Sequence, residues 1–178
     1  NYIVTIGHEA QQTGQSIMER IIFMNNTATC SDNGGGGGAG LWFSQANTLV
    51  LKECQFIKNH NNKNHGGALG YCPGTTSNKD VELQFIGCLF QDNKVNFGGA
   101  LYINARFKPV TIDQCTFSNT ISDTSLYGGA IYIDAQTTKD VKIINSHFRN
   151  LKVTDTDGDQ VSGNAIYFEK TYSNVLIQ

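Results

Sequence analysis

The chain has 178 residues, a formal net charge of −2 and only 16% charged residues. This length is enough for one domain with a continuous core. No basic run marks a nucleic-acid interface, and no segment holds the ~18 apolar residues of a membrane-spanning helix. The sequence therefore predicts neither nucleic-acid binding nor a membrane span.

The first predicted elements are short strands around the motif Phe-x-x-Asn. The motif begins at Phe23, Phe56 and Phe90, and its last residue is Asn26, Asn59 and Asn93. Degenerate copies begin at Phe117 and Phe148, with the Asn one place earlier. Upstream of each Phe, apolar residues recur two residues apart and then three apart, as in Leu49, Leu51, Cys54. Two-residue steps indicate strands, and the three-residue step predicts a bend.

A second motif, Gly-Gly-Ala, interleaves with the first. It begins at Gly37, Gly66, Gly98 and Gly128, and a variant Gly-Asn-Ala begins at Gly163, so that the copies start 29, 32, 30 and 35 residues apart. The paired glycines are Gly37 and Gly38, Gly66 and Gly67, Gly98 and Gly99, Gly128 and Gly129. We expect them to open strands where neighbouring coils approach closely or where φ is positive, with Asn164 as a tolerant substitute. The run Gly34–Gly38 is then the end of a loop joined to a repeat, since no Gly-Lys-Ser/Thr or helix follows to make a phosphate loop.

Polar segments of unequal length separate the units. They are Asn59–His65, Ser118–Tyr127 and Lys152–Ser162. We predict that these segments are loops, so that each unit contains two or three short strands.

Units of about 30 residues with short strands bury their apolar faces only by stacking. The sequence therefore predicts an all-β fold, a parallel β-helix of five to six coils, right-handed by the usual crossover preference. In this fold the five Phe residues stack inside, Cys54, Cys88 and Cys115 form a column of mostly unpaired thiols that Ser146 continues, and the Asn residues form a corner ladder. The ladder should be interrupted in the two degenerate copies.

Together, the two motifs resemble the passenger region of polymorphic outer-membrane proteins, from about Phe23 to Phe168. These surface proteins have right-handed β-helical passengers that act in adhesion. Similar repeats occur in large surface or secreted β-helix proteins of protists. The resemblance implies a non-enzymatic extracellular or cell-surface protein, acting in adhesion or as part of a surface filament or coat, with protein or glycan partners.

The alternative is a carbohydrate-active β-helix enzyme, a lyase or hydrolase, whose site lies outside this segment. Glycoside hydrolysis needs two facing carboxylates, and Asp113 and Asp134 occupy different repeat positions. The best metal candidate is a weak Ca²⁺ site at Asp155, Asp157 and Asp159, because alternating acids in a loop suit Ca²⁺. The more conservative interpretation of these acids is a solvated loop, which leaves the chain with no cofactor.

Several further residues leave alternatives open. Cys30 and Cys72 lie outside the thiol column and can form a disulfide in an extracellular protein. His60 and His65 flank a polar segment and are expected to be solvated. If Tyr102, Tyr132 and Tyr167 face outward, they form an aromatic stripe suited to a partner or a plain surface ladder. Asn25-Asn26-Thr27 matches the N-glycosylation pattern, which alone carries no conclusion.

The chain begins without Met and ends in an expected strand. We therefore expect residues 1–178 to be one β-helix segment from inside a longer repeat protein. Its coil ends would expose unpaired strand edges, which predicts continuation or self-association through them.

Overall fold

The computed structural model describes residues 4–6, 15–29, 38–43, 48–71, 82–97, 99–104, 109–122, 128–133, 140–154, 163–169 and 174–178. All regular elements in these ranges are β-strands, which form four parallel sheets. Sheet A contains β1 (Val4–Ile6), β5 (Leu41–Phe43), β9 (Leu69–Tyr71), β13 (Leu101–Ile103), β17 (Ile131–Ile133) and β21 (Ile166–Phe168). Sheet B contains β2 (Gln15–Glu19), β6 (Thr48–Lys52), β10 (Leu83–Ile86), β14 (Val110–Asp113), β18 (Asp140–Ile144) and β22 (Asn174–Ile177).

The other two sheets follow the same rule. Sheet C contains β3 (Ile22–Met24), β7 (Gln55–Ile57), β11 (Leu89–Gln91), β15 (Thr116–Ser118) and β19 (His147–Arg149). Sheet D contains β4 (Thr27–Ala28), β8 (His60–His65), β12 (Lys94–Phe97), β16 (Ile121–Ser122) and β20 (Lys152–Val153). Each strand from β1 to β18 pairs with the strand four places later in the chain, so successive coils place equivalent strands side by side in the same sheet. The molecule is a parallel β-solenoid, as the repeat predicts.

Equivalent repeat positions lie directly above one another. Phe23 pairs in register with Phe56, and Phe56 with Phe90. The five motif Phe rings form one column with centroids 4.7, 4.9, 4.7 and 5.0 Å apart and interplanar angles of 8° or less. The predicted internal Phe stack is confirmed. Its rings pack with the inward aliphatic side chains of sheets A and B in one continuous core.

Two sharp corners shape each coil, one between sheets B and C and one between sheets C and D. At each corner a single residue adopts a left-handed conformation, with φ between 51° and 62°. The B–C corner residues are Arg20, Glu53, Gly87, Gln114 and Asn145, and the C–D corner residues are Asn25, Lys58, Asp92, Asn119 and Asn150. One left-handed residue reverses the side-chain alternation, which lets both flanking strands direct apolar residues into the core.

A third corner contains the Gly-Gly-Ala motif. Gly66 has φ +73°, which side chains rarely adopt, and a Cβ on Gly67 would lie 2.6 Å from the carbonyl oxygen of Gly99 in the next coil. In this copy the first glycine therefore provides the backbone angle and the second provides space. Asn164 does not have a positive φ, so the prediction that it replaces Gly because Asn tolerates that conformation is wrong. It is exposed at the end of the glycine column, where a side chain has room. Gly37 and Gly98 lie outside the described residues.

The predicted loops are in part strands, which corrects the sequence interpretation. His60–His65 is β8, and β16 and β20 lie in the other two polar segments. These strands form because their neighbours in sheet D supply hydrogen bonds and register, as between His60 and Lys94. Stacking thus overrides the low strand propensity of Asn. Four successive strands, one in each sheet, make up a coil where the structure describes all of it, as in β5 to β8.

Candidate functional site

The corner ladder of asparagines links three coils. Asn26 donates from Nδ2 to Oδ1 of Asn59 at 2.9 Å, and Asn59 donates from Nδ2 to Oδ1 of Asn93 at 3.1 Å. The Nδ2 groups of Asn59 and Asn93 also lie 2.9 Å from the carbonyl oxygens of Phe23 and Phe56. All three Asn side chains are buried. The ladder therefore fastens successive coils at the C–D corner.

The ladder stops where the motif degenerates, as predicted. Thr120 occupies the next position, fully buried, and its Oγ1 has no hydrogen-bond partner among the described residues. A second, exposed ladder replaces it one residue earlier. There Asn119 donates to Asp92 at 2.9 Å, and Asn150 donates to Asn119 at 3.1 Å.

The thiol column lies inside the B–C corner. Cys54, Cys88 and Cys115 are unpaired and at most 1% exposed, which confirms the predicted inward, unpaired column. Ser146 continues it, and its Oγ accepts a hydrogen bond from the Cys115 backbone N–H at 3.1 Å. The position needs a small side chain that can bond to backbone, and either Cys or Ser supplies one.

The thiols are coupled to one another. A hydrogen bond with Cys115 and burial raise the pKa of Cys88 to about 12, from 9.0. A hydrogen bond with Cys88 and burial also raise the pKa of Cys54, while the hydrogen bond from Cys88 lowers the pKa of Cys115. These shifts come mainly from hydrogen bonds between the thiols, from burial and from backbone groups, so the geometry gives the column a structural role.

The aromatic stripe does not form the exposed surface considered above. Tyr102 and Tyr132 are only 5% and 7% exposed, and Tyr167 is half-buried. The rings do stack, with centroids 5.4 Å apart for Tyr102 and Tyr132 and 5.3 Å for Tyr132 and Tyr167, and the Tyr132 hydroxyl donates to Glu169. This column is a covered structural element of sheet A.

The outer face of sheets C and D presents large side chains that sequence reasoning missed. Ile22, Met24 and Ile121 are 58%, 52% and 38% exposed. In sheet D, Ile121 is in register with Lys94 and Lys152. We call this outer face the contact surface. Strand alternation around the motif Phe could have identified Ile22 and Met24, since residues flanking an inward Phe point outward.

Most of the remaining candidate residues are not among those that the structure describes. Asp155, Asp157, Asp159, Asp134, Cys30 and Cys72 lie outside them. Within the described ranges, no group of three His, Cys, Asp or Glu side chains could hold a metal ion. Asp113 accepts a hydrogen bond at 3.0 Å from Asn145 of the adjacent coil. No helix long and apolar enough to cross a membrane occurs in the described part of the chain.

Comparison with known proteins adds no assignment: no family model, curated protein or solved structure matches the chain.

Proposed function

We propose that this chain is a non-enzymatic extracellular or cell-surface protein, a right-handed β-helix of five to six coils acting in adhesion or as a structural component of a surface filament or coat. Six strands in each of sheets A and B support this number of coils. The proposal keeps the resemblance of the repeats to polymorphic outer-membrane protein passengers.

The observation that carries the proposal is the continuous column of five parallel Phe rings inside four parallel sheets. Every coil is fixed to the next by backbone hydrogen bonds, ring stacking and, in three coils, the asparagine ladder. Such a stack resists bending. Its regular stacking keeps the contact surface at a fixed position along the solenoid, which suits an adhesin or a coat.

The contact surface is the proposed site for a partner. Its exposed apolar side chains, Ile22 and Met24, stand on a regular strand rather than a loop, so their spacing is fixed. Backbone positions fixed before binding lower the ordering cost of association, which favours a protein or glycan surface as the partner. Self-association through the coil ends is a second proposed mode of binding. Asp155, Asp157 and Asp159 are the proposed ligands of a Ca²⁺ site.

Location is tested by antibodies raised against the folded chain. We expect them to stain intact, unpermeabilised source cells or to detect the chain in the surrounding medium or coat. Staining that requires permeabilisation would contradict the proposal.

Binding is tested with the chain labelled at its amino terminus and applied to a cell monolayer and a glycan array. We expect saturable binding that Met24→Thr weakens several-fold, because Thr keeps strand propensity and removes the apolar group. Thr27→Ser is the matched control on the neighbouring outward position. Release of reducing or unsaturated sugars from the same glycans would favour the enzyme alternative.

A further inference from the structure

We propose that Asn25 is an acceptor for an N-linked oligosaccharide when the chain passes through a secretory pathway with an oligosaccharyltransferase; this rests on the extracellular location proposed above. In the transfer, Nδ2 of Asn25 forms a bond to C1 of the first sugar of a lipid-pyrophosphate-linked oligosaccharide. The bond from C1 to the pyrophosphate oxygen breaks, the lipid pyrophosphate leaves with the electron pair, and the amide loses one proton.

The sequence supplies the recognition pattern at this corner. Asn25-Asn26-Thr27 is the only Asn-x-Ser/Thr match in the chain. The pattern requires an acceptor amide and a hydroxyl two residues later.

The fold separates these three residues by role. Asn25 and Thr27 are exposed, whereas Asn26 between them is buried and bonded to Asn59. Asn25 is the left-handed corner residue, with φ 56°, and its backbone N–H donates to the carbonyl of Ile57. The main chain is therefore fixed by Asn26 and Ile57, while the acceptor side chain projects outward at the corner.

The other asparagines of the same corner column show why Asn25 differs. Asn119 and Asn150 use their Nδ2 groups to bond Asp92 and Asn119 in neighbouring coils. No described residue bonds the side-chain amide of Asn25, whose neighbour at the same corner of the next coil is Lys58. A sugar on Asn25 thus replaces no structural contact and meets no packed surface among the described residues.

The test is translation of the chain, with an added signal peptide, in the presence of microsomes. We expect one slower-migrating form that peptide N-glycosidase F converts to the unmodified form. Thr27→Ala should abolish it while leaving the corner Asn in place, Thr27→Ser should retain it, and Asn25→Gln should abolish it. An unmodified wild-type chain inside protected microsomes, or a glycan that persists in Asn25→Gln, would overturn the proposal.

A second measurement asks whether the folded chain tolerates the sugar. We expect the glycosylated chain and its Thr27→Ala variant to have the same far-ultraviolet spectrum and coincident thermal unfolding midpoints. A large loss of stability on glycosylation would overturn the assignment. Absence of the protein from the cell surface would contradict the proposed function, but the microsome result is independent of it.

Discussion

Truncation of the Phe column is expected to destabilise the solenoid by an amount that depends on position. Phe90 is fully buried, with rings on both sides at 4.9 and 4.7 Å. A buried Phe→Ala substitution costs about 3–5 kcal/mol. Because rings stack on both sides of Phe90, we expect the upper end of this range, about 5 kcal/mol.

Phe148→Ala is the matched control. Phe148 is half-buried and stacks on one described ring, Phe117, at 5.0 Å. Half burial should give about half the usual cost of a buried Phe→Ala substitution, a loss of about 2 kcal/mol. Urea unfolding monitored by circular dichroism measures both losses. If Phe90→Ala does not fold, Phe90→Leu and Phe148→Leu can be compared instead, and we again expect the larger loss of stability at position 90. Equal losses at the two positions would refute the argument.

Three further predictions concern the asparagine ladder and the thiol column. Asn93→Ala should lower the free energy of unfolding, measured in urea, by about 2–3 kcal/mol. In the wild type the buried backbone N–H of Asn59 donates to Oδ1 of Asn93 at 3.0 Å, and the substitution removes that acceptor. An unchanged free energy of unfolding would contradict the ladder's role. Thr120→Asn should add about 1 kcal/mol by extending the ladder in place of an unpaired buried hydroxyl, and a loss would show that the corner cannot hold the amide. Because the pKa of Cys88 is raised from 9.0 to about 12, its contribution to stability is complete below pH 9 and is lost as the pH rises towards 12. The free energy of unfolding should therefore fall more steeply with pH over this window in the wild type than in Cys88→Ala, and parallel pH profiles would contradict the assignment.

The repeat predicted the interior well. Phe23 and its four counterparts, the thiols and the asparagine ladder all lie where the motif spacing placed them, because each motif position points to the core in every coil. The break in the ladder at Thr120 was also visible in the sequence.

The three-residue step and the asparagine ladder predicted bends, but the left-handed corner residues and the fourth strand were not predicted. Asn25, Asp92 and Gly87 are residue types that tolerate a left-handed conformation, but Arg20 and Lys58 at equivalent positions hide the pattern. The strand His60–His65 depends on hydrogen bonds from neighbouring coils, and no local propensity indicates it. The burial of Tyr102 likewise depends on tertiary contacts, so alternation alone left open whether its ring is exposed.

The most direct test of the stacked-coil account is engineered cross-linking between outward positions of sheet C. Gln55 and Leu89 are register partners in adjacent coils, and Thr116 lies one coil further on. Adjacent strands are about 4.8 Å apart and alternate strands about 10 Å, whereas a disulfide requires Cα atoms about 4.4–6.8 Å apart. The account predicts that Gln55→Cys with Leu89→Cys forms an intramolecular disulfide on mild oxidation, identified by peptide mapping, and that Gln55→Cys with Thr116→Cys does not. Cross-linking of the second pair but not the first would contradict the register on which the solenoid rests.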